Sequence, residues 1–220
     1  MTAMLAAAVL VELFTSEGCS SCPPADAVLE KLHRDQPVPG VQLIVLSEHV
    51  DYWNNLGWKD PFSDARFSER QGEYGSRIYT PQVMVDGRID VLGSNQGAIE
   101  RAAKTVALQP HGTVRLVRTA QGVKVSATEL SGHSDARVML AVVEDGLVSK
   151  VERGENAGRT LAHSAVVRSL REVGRIPPAA AQWSAEVPVS TDVSWKRTRL
   201  VAFVQEAATR RVLASAALQE

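Results

Sequence analysis

The sequence predicts an α/β domain followed by an antiparallel β-sandwich, and three observations lead there. Residues 9–106 alternate short apolar runs with amphipathic segments in the order β-α-β-α-β-β-α. From residue 113 the rhythm changes to short alternating strands with glycine-containing turns and no long helical pattern. Charge changes at the same place: residues 1–106 carry 9 Lys/Arg and 14 Asp/Glu, a net of −5, and residues 107–220 carry 15 and 11, a net of +4. The stretch Leu108–Gly112, with Pro110 and Gly112, reads as the linker, giving domains of residues 1–108 and 112–220.

Each element has its own justification. Val9–Phe14 is a short apolar run bounded by Thr15-Ser16-Glu17-Gly18, which suits a buried strand. Ala25, Val28, Leu29 and Leu32 recur at helical spacing and end before Pro37 and Pro39. Val41–Leu46 is a second buried strand. Pro61 to Gly75 is polar with Phe62, Ala65, Phe67 and Tyr74, a weaker helical pattern. Gln82–Val85 and Ile89–Leu92 flank Asp86-Gly87, a hairpin signature. Ser94 or Asn95 caps a last helix bearing Ile99, Ala102, Ala103 and Val106. The second half places strands at 113–117, 123–128, 138–143, 147–151, 166–170, 183–189, 199–204 and 212–217. There is no internal repeat and no low-complexity tract.

Composition excludes several classes. Apolar residues are 45% and charged residues 22%, a globular balance. Lys plus Arg is 24 against 25 Asp plus Glu, so no global positive field invites nucleic acid, and the basic residues of the second half are scattered. The longest apolar run, Ala3 to Val11, is nine residues, roughly half of a membrane span. The first basic residue is Lys31, so the run lacks the positive n-region of a secretory signal. With Met1 as the true start the chain is expected in the cytosol, as a strand preceded by a short leader. No glycine-rich nucleotide loop sits at a strand–helix junction, so no organic cofactor is expected. Ser164 and Ser169 lack a nucleophile-elbow context. His163 and Arg159 read as structural residues of the sandwich.

Cys19 and Cys22 are the only cysteines, three positions apart, which excludes a disulfide scaffold and leaves a redox couple or half of a metal site. Their place between a buried strand and a helix start favours a thiolate, because unpaired N–H groups and the helix dipole stabilise an anion there. Cys19, nearer the strand end, is then the attacking sulfur and Cys22 the resolving one. Pro23 and Pro24 remove donors and Glu17 and Asp26 add negative charge, so the depression of the Cys19 pKa is expected to be moderate. A four-residue loop closed by a disulfide adds little stability, which argues against a merely structural bridge.

His49, Asp51, Tyr52, Trp53 and Trp58 crowd the segment after the second strand, the edge where the cysteines emerge. His49 or Asp51 is therefore a candidate for proton exchange with the thiols, and the tryptophans for a substrate groove. Two thiolates and an imidazole (Cys19, Cys22, His49) also suit copper or zinc, which keeps a non-enzymatic copper-binding module open, as is a redox-sensing adaptor whose sandwich binds a partner. Pro81, in Tyr79-Thr80-Pro81-Gln82, is expected to be trans on frequency alone, since about 5–6% of X–Pro bonds in folded proteins are cis.

The Cys-x-x-Cys after the first strand, the element order and Thr80-Pro81 before the third strand together resemble the thioredoxin fold. Val11 to Asp26, His49-Val50-Asp51-Tyr52-Trp53, Leu56-Gly57-Trp58, Gly154-Glu155-Asn156 and Gly158-Arg159-Thr160-Leu161 further resemble an uncharacterised bacterial thioredoxin-like family, domain of unknown function 1223. The resemblance spans nearly the whole chain. It implies a thioredoxin-like first domain, a cis Pro81 facing the dithiol and Thr80 gripping a bound peptide. It also implies thiol–disulfide exchange on a protein or peptide, and a periplasmic or secreted location. The chain lacks thioredoxin's aromatic residue before the first cysteine and its Gly-Pro between the two, which weighs against reductase-like behaviour.

Overall fold

The computed structural model describes residues 7–189 and 197–218. The expected leader, Met1–Ala6, lies outside the described residues. The first half contains β1 (Ala7–Thr15), α1 (Pro23–Asp35), β2 (Val41–His49), α2 (Ala65–Glu73), β3 (Gln82–Val85), β4 (Ile89–Leu92) and α3 (Gln96–Ala107). The second contains β5 (Thr113–Arg118), β6 (Gly122–Thr128), β7 (Ala136–Glu144), β8 (Leu147–Lys150), β9 (Thr160–His163), β10 (Val166–Ile176), β11 (Trp183–Pro188), β12 (Thr198–Glu206) and β13 (Val212–Leu218). The strand β9 and a 3₁₀ turn at Asn54–Leu56 carry no periodic signal in the sequence.

β1 is the axis of the molecule. It runs parallel to β2 from the Ala7–Val41 pair to the Thr15–His49 pair and antiparallel to β3. Its apolar run is continuous because both faces are covered. Thr15 on one face donates its hydroxyl to Asp26 of α1 at 2.9 Å, and Glu12 on the other face accepts from Arg70 of α2 at 2.7 Å. Since Thr15 and His49 are register partners, the ends of β1 and β2 deliver the cysteine loop and the His49 loop to the same edge.

Helix α1 follows from its sequence. Proline suits its first turn, where the N–H has no intrahelical partner, and Ala25, Leu29 and Leu32 bury one face. It ends at Gln36, which takes the left-handed conformation usually given to glycine, at φ 45°. Its side-chain amide donates to the carbonyls of Leu32, His33 and Leu43 and its oxygen accepts from Leu43 N–H, which offsets the backbone cost. Asn95 caps α3 by accepting from Ala98 N–H at 3.0 Å.

The molecule is a mixed α/β structure built on a large sheet. Strands of both halves share one eight-stranded sheet in the order β13-β12-β7-β10-β2-β1-β3-β4. The joint is narrow: Val166 pairs with Ser47, and Ser47 N–H donates to Ala165 C=O at 2.7 Å. A three-stranded sheet, β11-β6-β5, covers β7, β12 and β13, with Leu116, Val125, Val138, Leu200, Val204 and Leu213 between the layers. The strands expected as a separate sandwich thus stack in two antiparallel layers, but one of those layers extends the sheet of the first half. The reason is that β10 exposes a free edge beside β2 and pairs there. Arg70 reinforces the union, contacting Glu12 of β1, Glu48 of β2 and Gln205 of β12. Hairpin β8–β9 stands apart as its own two-stranded sheet.

Candidate functional site

The two cysteines lie at the end of β1, over the first turn of α1. Cys22 is the N-cap residue and its carbonyl accepts from Ala25 and Asp26 N–H at 2.8 and 3.1 Å. Both cysteines are free thiols, with residue exposures of 1% for Cys19 and 0% for Cys22, flanked by the exposed Ser20 and Ser21. Gly18 allows the turn to pass under Trp53, because a Cβ there would lie 3.0 Å from the Trp53 Cβ.

Cys19 is held as a thiolate by its neighbours. The Cys22 thiol hydrogen-bonds to it and is the largest influence, outweighing burial; Ser21 and Thr80 add to the effect and bring its pKa down to about 6. The Ser21 hydroxyl lies 3.2 Å from Cys19 Sγ and the Thr80 carbonyl 3.9 Å. Burial pushes the Cys22 thiol far up, and the hydrogen bond to Cys19 with the charges on Cys19 and Asp26 push it further. The two sulfurs thus differ sharply in how readily they lose a proton. Of these influences the second thiol acts most and the Ser21 backbone N–H least.

The Thr80–Pro81 bond is cis, although frequency alone favours trans, and Thr80 lies against Cys19. Trp53 Nε1 donates to Thr80 Oγ1 at 2.8 Å, so it fixes this segment. Gly93 backs the proline: its N–H donates to Pro81 C=O at 3.0 Å, and a Cβ there would lie 3.1 Å from the Pro81 Cβ. Trp58 has a different duty, donating its Nε1 to Glu17 Oε2 at 2.7 Å. Both indoles are half-buried.

Beneath the dithiol lies a buried ionisable cluster. His49 Nδ1 meets Asp60 Oδ2 at 2.7 Å, and the same oxygen accepts from Glu17 N–H at 2.8 Å. Burial alone would lower the His49 pKa, but Asp60, aided by Asp26 and Glu17, raises it above the ordinary value. Asp60 is held below its ordinary value because His49 and the N–H groups of Glu17 and Phe62 outweigh burial. Burial pushes the Asp26 carboxyl up, against the pull of His49, His163 and the Thr15 hydroxyl. The His49 and His163 rings meet edge-on with centroids 4.9 Å apart, and Phe62 packs against both. Asp51 is turned away: its carboxylate accepts from Ser68 of α2 at 2.5 Å. Among the described residues no three His, Cys, Asp or Glu side chains converge on a metal position, so Cys19, Cys22 and His49 are not assembled as ligands.

The second half supplies a strap over the dithiol, between β8 and β9. Asn156 Nδ2 donates to the carbonyls of Glu17 and Cys19 at 2.8 and 3.0 Å, and Arg159 holds Asn156 Oδ1 at 2.8 Å. Glu155 accepts from Ser20 N–H at 2.9 Å. His163 Nε2 lies 3.0 Å from Glu17 Oε1, which also accepts from the Ser149 hydroxyl. Asp60, Ser149 and His163 reach Glu17 from 43, 132 and 146 positions away, and no sequence spacing joins them. Gly154-Glu155-Asn156 and Gly158-Arg159-Thr160-Leu161 are the sequence signals that fall in and beside the strap.

Fold and site together define a mixed α/β protein with a buried, asymmetric dithiol at one sheet edge, roofed by a hairpin from its second half. The chain belongs to the family described as "Protein of unknown function (DUF1223)", whose model matches residues 10–205. It is similar in structure to a protein of Agrobacterium tumefaciens, with 26% identity and a TM-score of 0.79 over 96% of this chain and 93% of the other. It also resembles HBP35 of Porphyromonas gingivalis, with 13% identity and a TM-score of 0.68 over 98% of this chain and 76% of that one, a likeness of fold alone. No curated protein matches the sequence. Among the described residues no helix is long and apolar enough to cross a membrane.

Proposed function

We propose that this chain catalyses thiol–disulfide exchange on a protein or peptide through Cys19 and Cys22, on a thioredoxin-like arrangement of β1 to α3. The observation that carries the reading is the divided dithiol: a sulfur with its pKa down to about 6 beside one held protonated, next to a cis Thr80–Pro81 bond. A passive structural pair has no use for that division.

The chemistry balances without a cofactor. The Cys19 thiolate attacks one sulfur of a substrate disulfide; the Cys19–substrate bond forms as the substrate S–S bond breaks and a substrate thiolate leaves. Cys22 then gives its proton to the adjacent Asp26 carboxylate and attacks Cys19 Sγ, releasing the second substrate thiolate. The substrate gains two electrons and the Cys19–Cys22 pair becomes a disulfide; the reverse sequence oxidises a substrate dithiol. Thr80 and the half-buried faces of Trp53 and Trp58 are the substrate contacts in this reading. Asn156 and Glu155 cover Cys19, so the strap moves aside for substrate to reach it.

Equilibration with graded glutathione buffers, read by alkylation and mass, tests the proposal. The pair is expected to pass reversibly between dithiol and disulfide, with a glutathione mixed disulfide trapped on Cys19 in Cys22→Ser and none in Cys19→Ser. A pair that stays reduced across the whole range, or a mixed disulfide that forms on Cys22 instead, overturns it.

A further inference from the structure

Among the described residues the hairpin β8–β9 pairs only with itself, yet Ser149 on one strand and His163 on the other both contact Glu17, while its loop touches Cys19 and Ser20. It is built against the dithiol rather than into either larger sheet. His163 is 2% exposed, and among the described residues its Nδ1, like Nε2 of the neighbouring His49, has no hydrogen-bond partner. Leaving a buried polar atom unsatisfied costs about 1–3 kcal/mol, so an orphaned imidazole nitrogen in a polar cluster marks a group with a task. That nitrogen lies 3.9 Å from Asp26 Oδ2, and a shift of about 1 Å makes a hydrogen bond. Asp26 is one helical turn from Cys22, and its other oxygen is occupied by Thr15.

Resting on the dithiol reading above, we propose that His163 is a positioning residue for the resolving step: fixed at Nε2 by Glu17, it faces Asp26 with Nδ1 and draws on, through that carboxyl, the proton that Cys22 gives up. The path is Cys22 Sγ–H to Asp26 to His163, with Glu17 stabilising the imidazolium that forms. The second half of the chain thereby completes the site delivered by the first.

The surroundings favour that direction. His163 faces Glu17 from the loop after β1, Asp26 from α1, and the His49 ring from β2, which Asp60 holds. Phe62 separates this group from Arg168, which lies over its outer face. Trp58 donates to one oxygen of Glu17, and Ser149 and His163 share the other. Without His163 the Asp26 carboxyl loses the one imidazole that faces it from the hairpin and with it the onward acceptor for the Cys22 proton.

Single-turnover reaction with 5,5′-dithiobis(2-nitrobenzoate) separates the two sulfurs. Release of the first thionitrobenzoate reads attack by Cys19, and release of the second reads attack by Cys22. In His163→Gln the second phase should slow at least about tenfold near neutral pH. The first phase should keep the wild-type rate and midpoint. Glu17→Gln, which preserves the size of the side chain, should slow the second phase in the same direction; it decides the matter should His163→Gln lose its near-ultraviolet circular dichroism. A wild-type second phase in the folded variant overturns the role of His163 and leaves the dithiol reading intact. Absence of both phases in the wild-type protein overturns the dithiol reading, and this inference with it.

Discussion

Replacing Cys22 by alanine probes the feature on which the chemistry turns. The Cys22 thiol is the largest single influence on Cys19 and holds its pKa at about 6. At pH 7 such a group is about nine-tenths thiolate, against about 3% for an ordinary cysteine near 8.5. Alanine removes the donor and keeps the burial, which acts upward, while Ser21 and Thr80 continue to act downward. The midpoint should therefore settle between roughly 7.5 and 8.5, and the thiolate fraction at pH 7 should drop to about a quarter or less. Ultraviolet thiolate absorbance of the reduced protein, with the pH dependence of iodoacetamide labelling mapped to Cys19 by mass, measures both. Cys22→Ser, which restores a donor, should return the midpoint toward the wild-type value. An alanine variant that titrates like wild type would refute the assignment of the shift to Cys22, and a wild-type midpoint near 8.5 would refute the thiolate itself.

The strap and the cluster give further expectations. Asn156→Ala takes the side-chain donor from the Glu17 carbonyl and leaves the Cys19 carbonyl with the Cys22 N–H; it should cost about 1–3 kcal/mol in urea unfolding while speeding Cys19 alkylation, and unchanged labelling would show that the strap does not shield the sulfur. For the His49–Asp60 pair the signs differ. The raised His49 contributes stability fully below about pH 6.5 and loses it as pH climbs through its folded value; the depressed Asp60 contributes fully above about pH 4 and loses it as pH falls through its own. The wild-type stability profile should show a plateau between those limits, and Asp60→Asn should flatten it and cost about 3–5 kcal/mol by leaving His49 buried without its carboxylate. Asp51→Ala should leave the Cys19 midpoint unmoved, since Asp51 is bonded to Ser68; a shift would place Asp51 back among the proton-exchanging groups. Gly93→Ala forces a Cβ to 2.9 Å from Leu13 Cδ1 and 3.1 Å from Pro81, so thermal unfolding should show a loss of about 1–3 kcal/mol, and a neutral result would mean that the Pro81 segment yields.

Much of this protein is local, and what is local is legible in its sequence. The apolar run of β1, the spacing of Ala25, Leu29 and Leu32, the Asp86-Gly87 turn, the Asn95 cap and the alternating second-half strands each answer to neighbours within a few residues. The chain itself therefore settles the identity and order of most elements, β9 excepted, and the placing of Cys19 and Cys22 between strand and helix. What the tertiary structure alone decides depends on contacts between distant residues. The edge of β10 meets β2 at one pair and merges the halves into a single sheet. His163, which reads as an ordinary sandwich residue, arrives 3.0 Å from Glu17 across 146 positions. Thr80, 61 positions from Cys19, joins Cys22 and Ser21 in lowering its pKa against burial. Such pairings carry no periodic trace, since the loop-closure entropy that separates them in the chain is offset only when the whole core assembles.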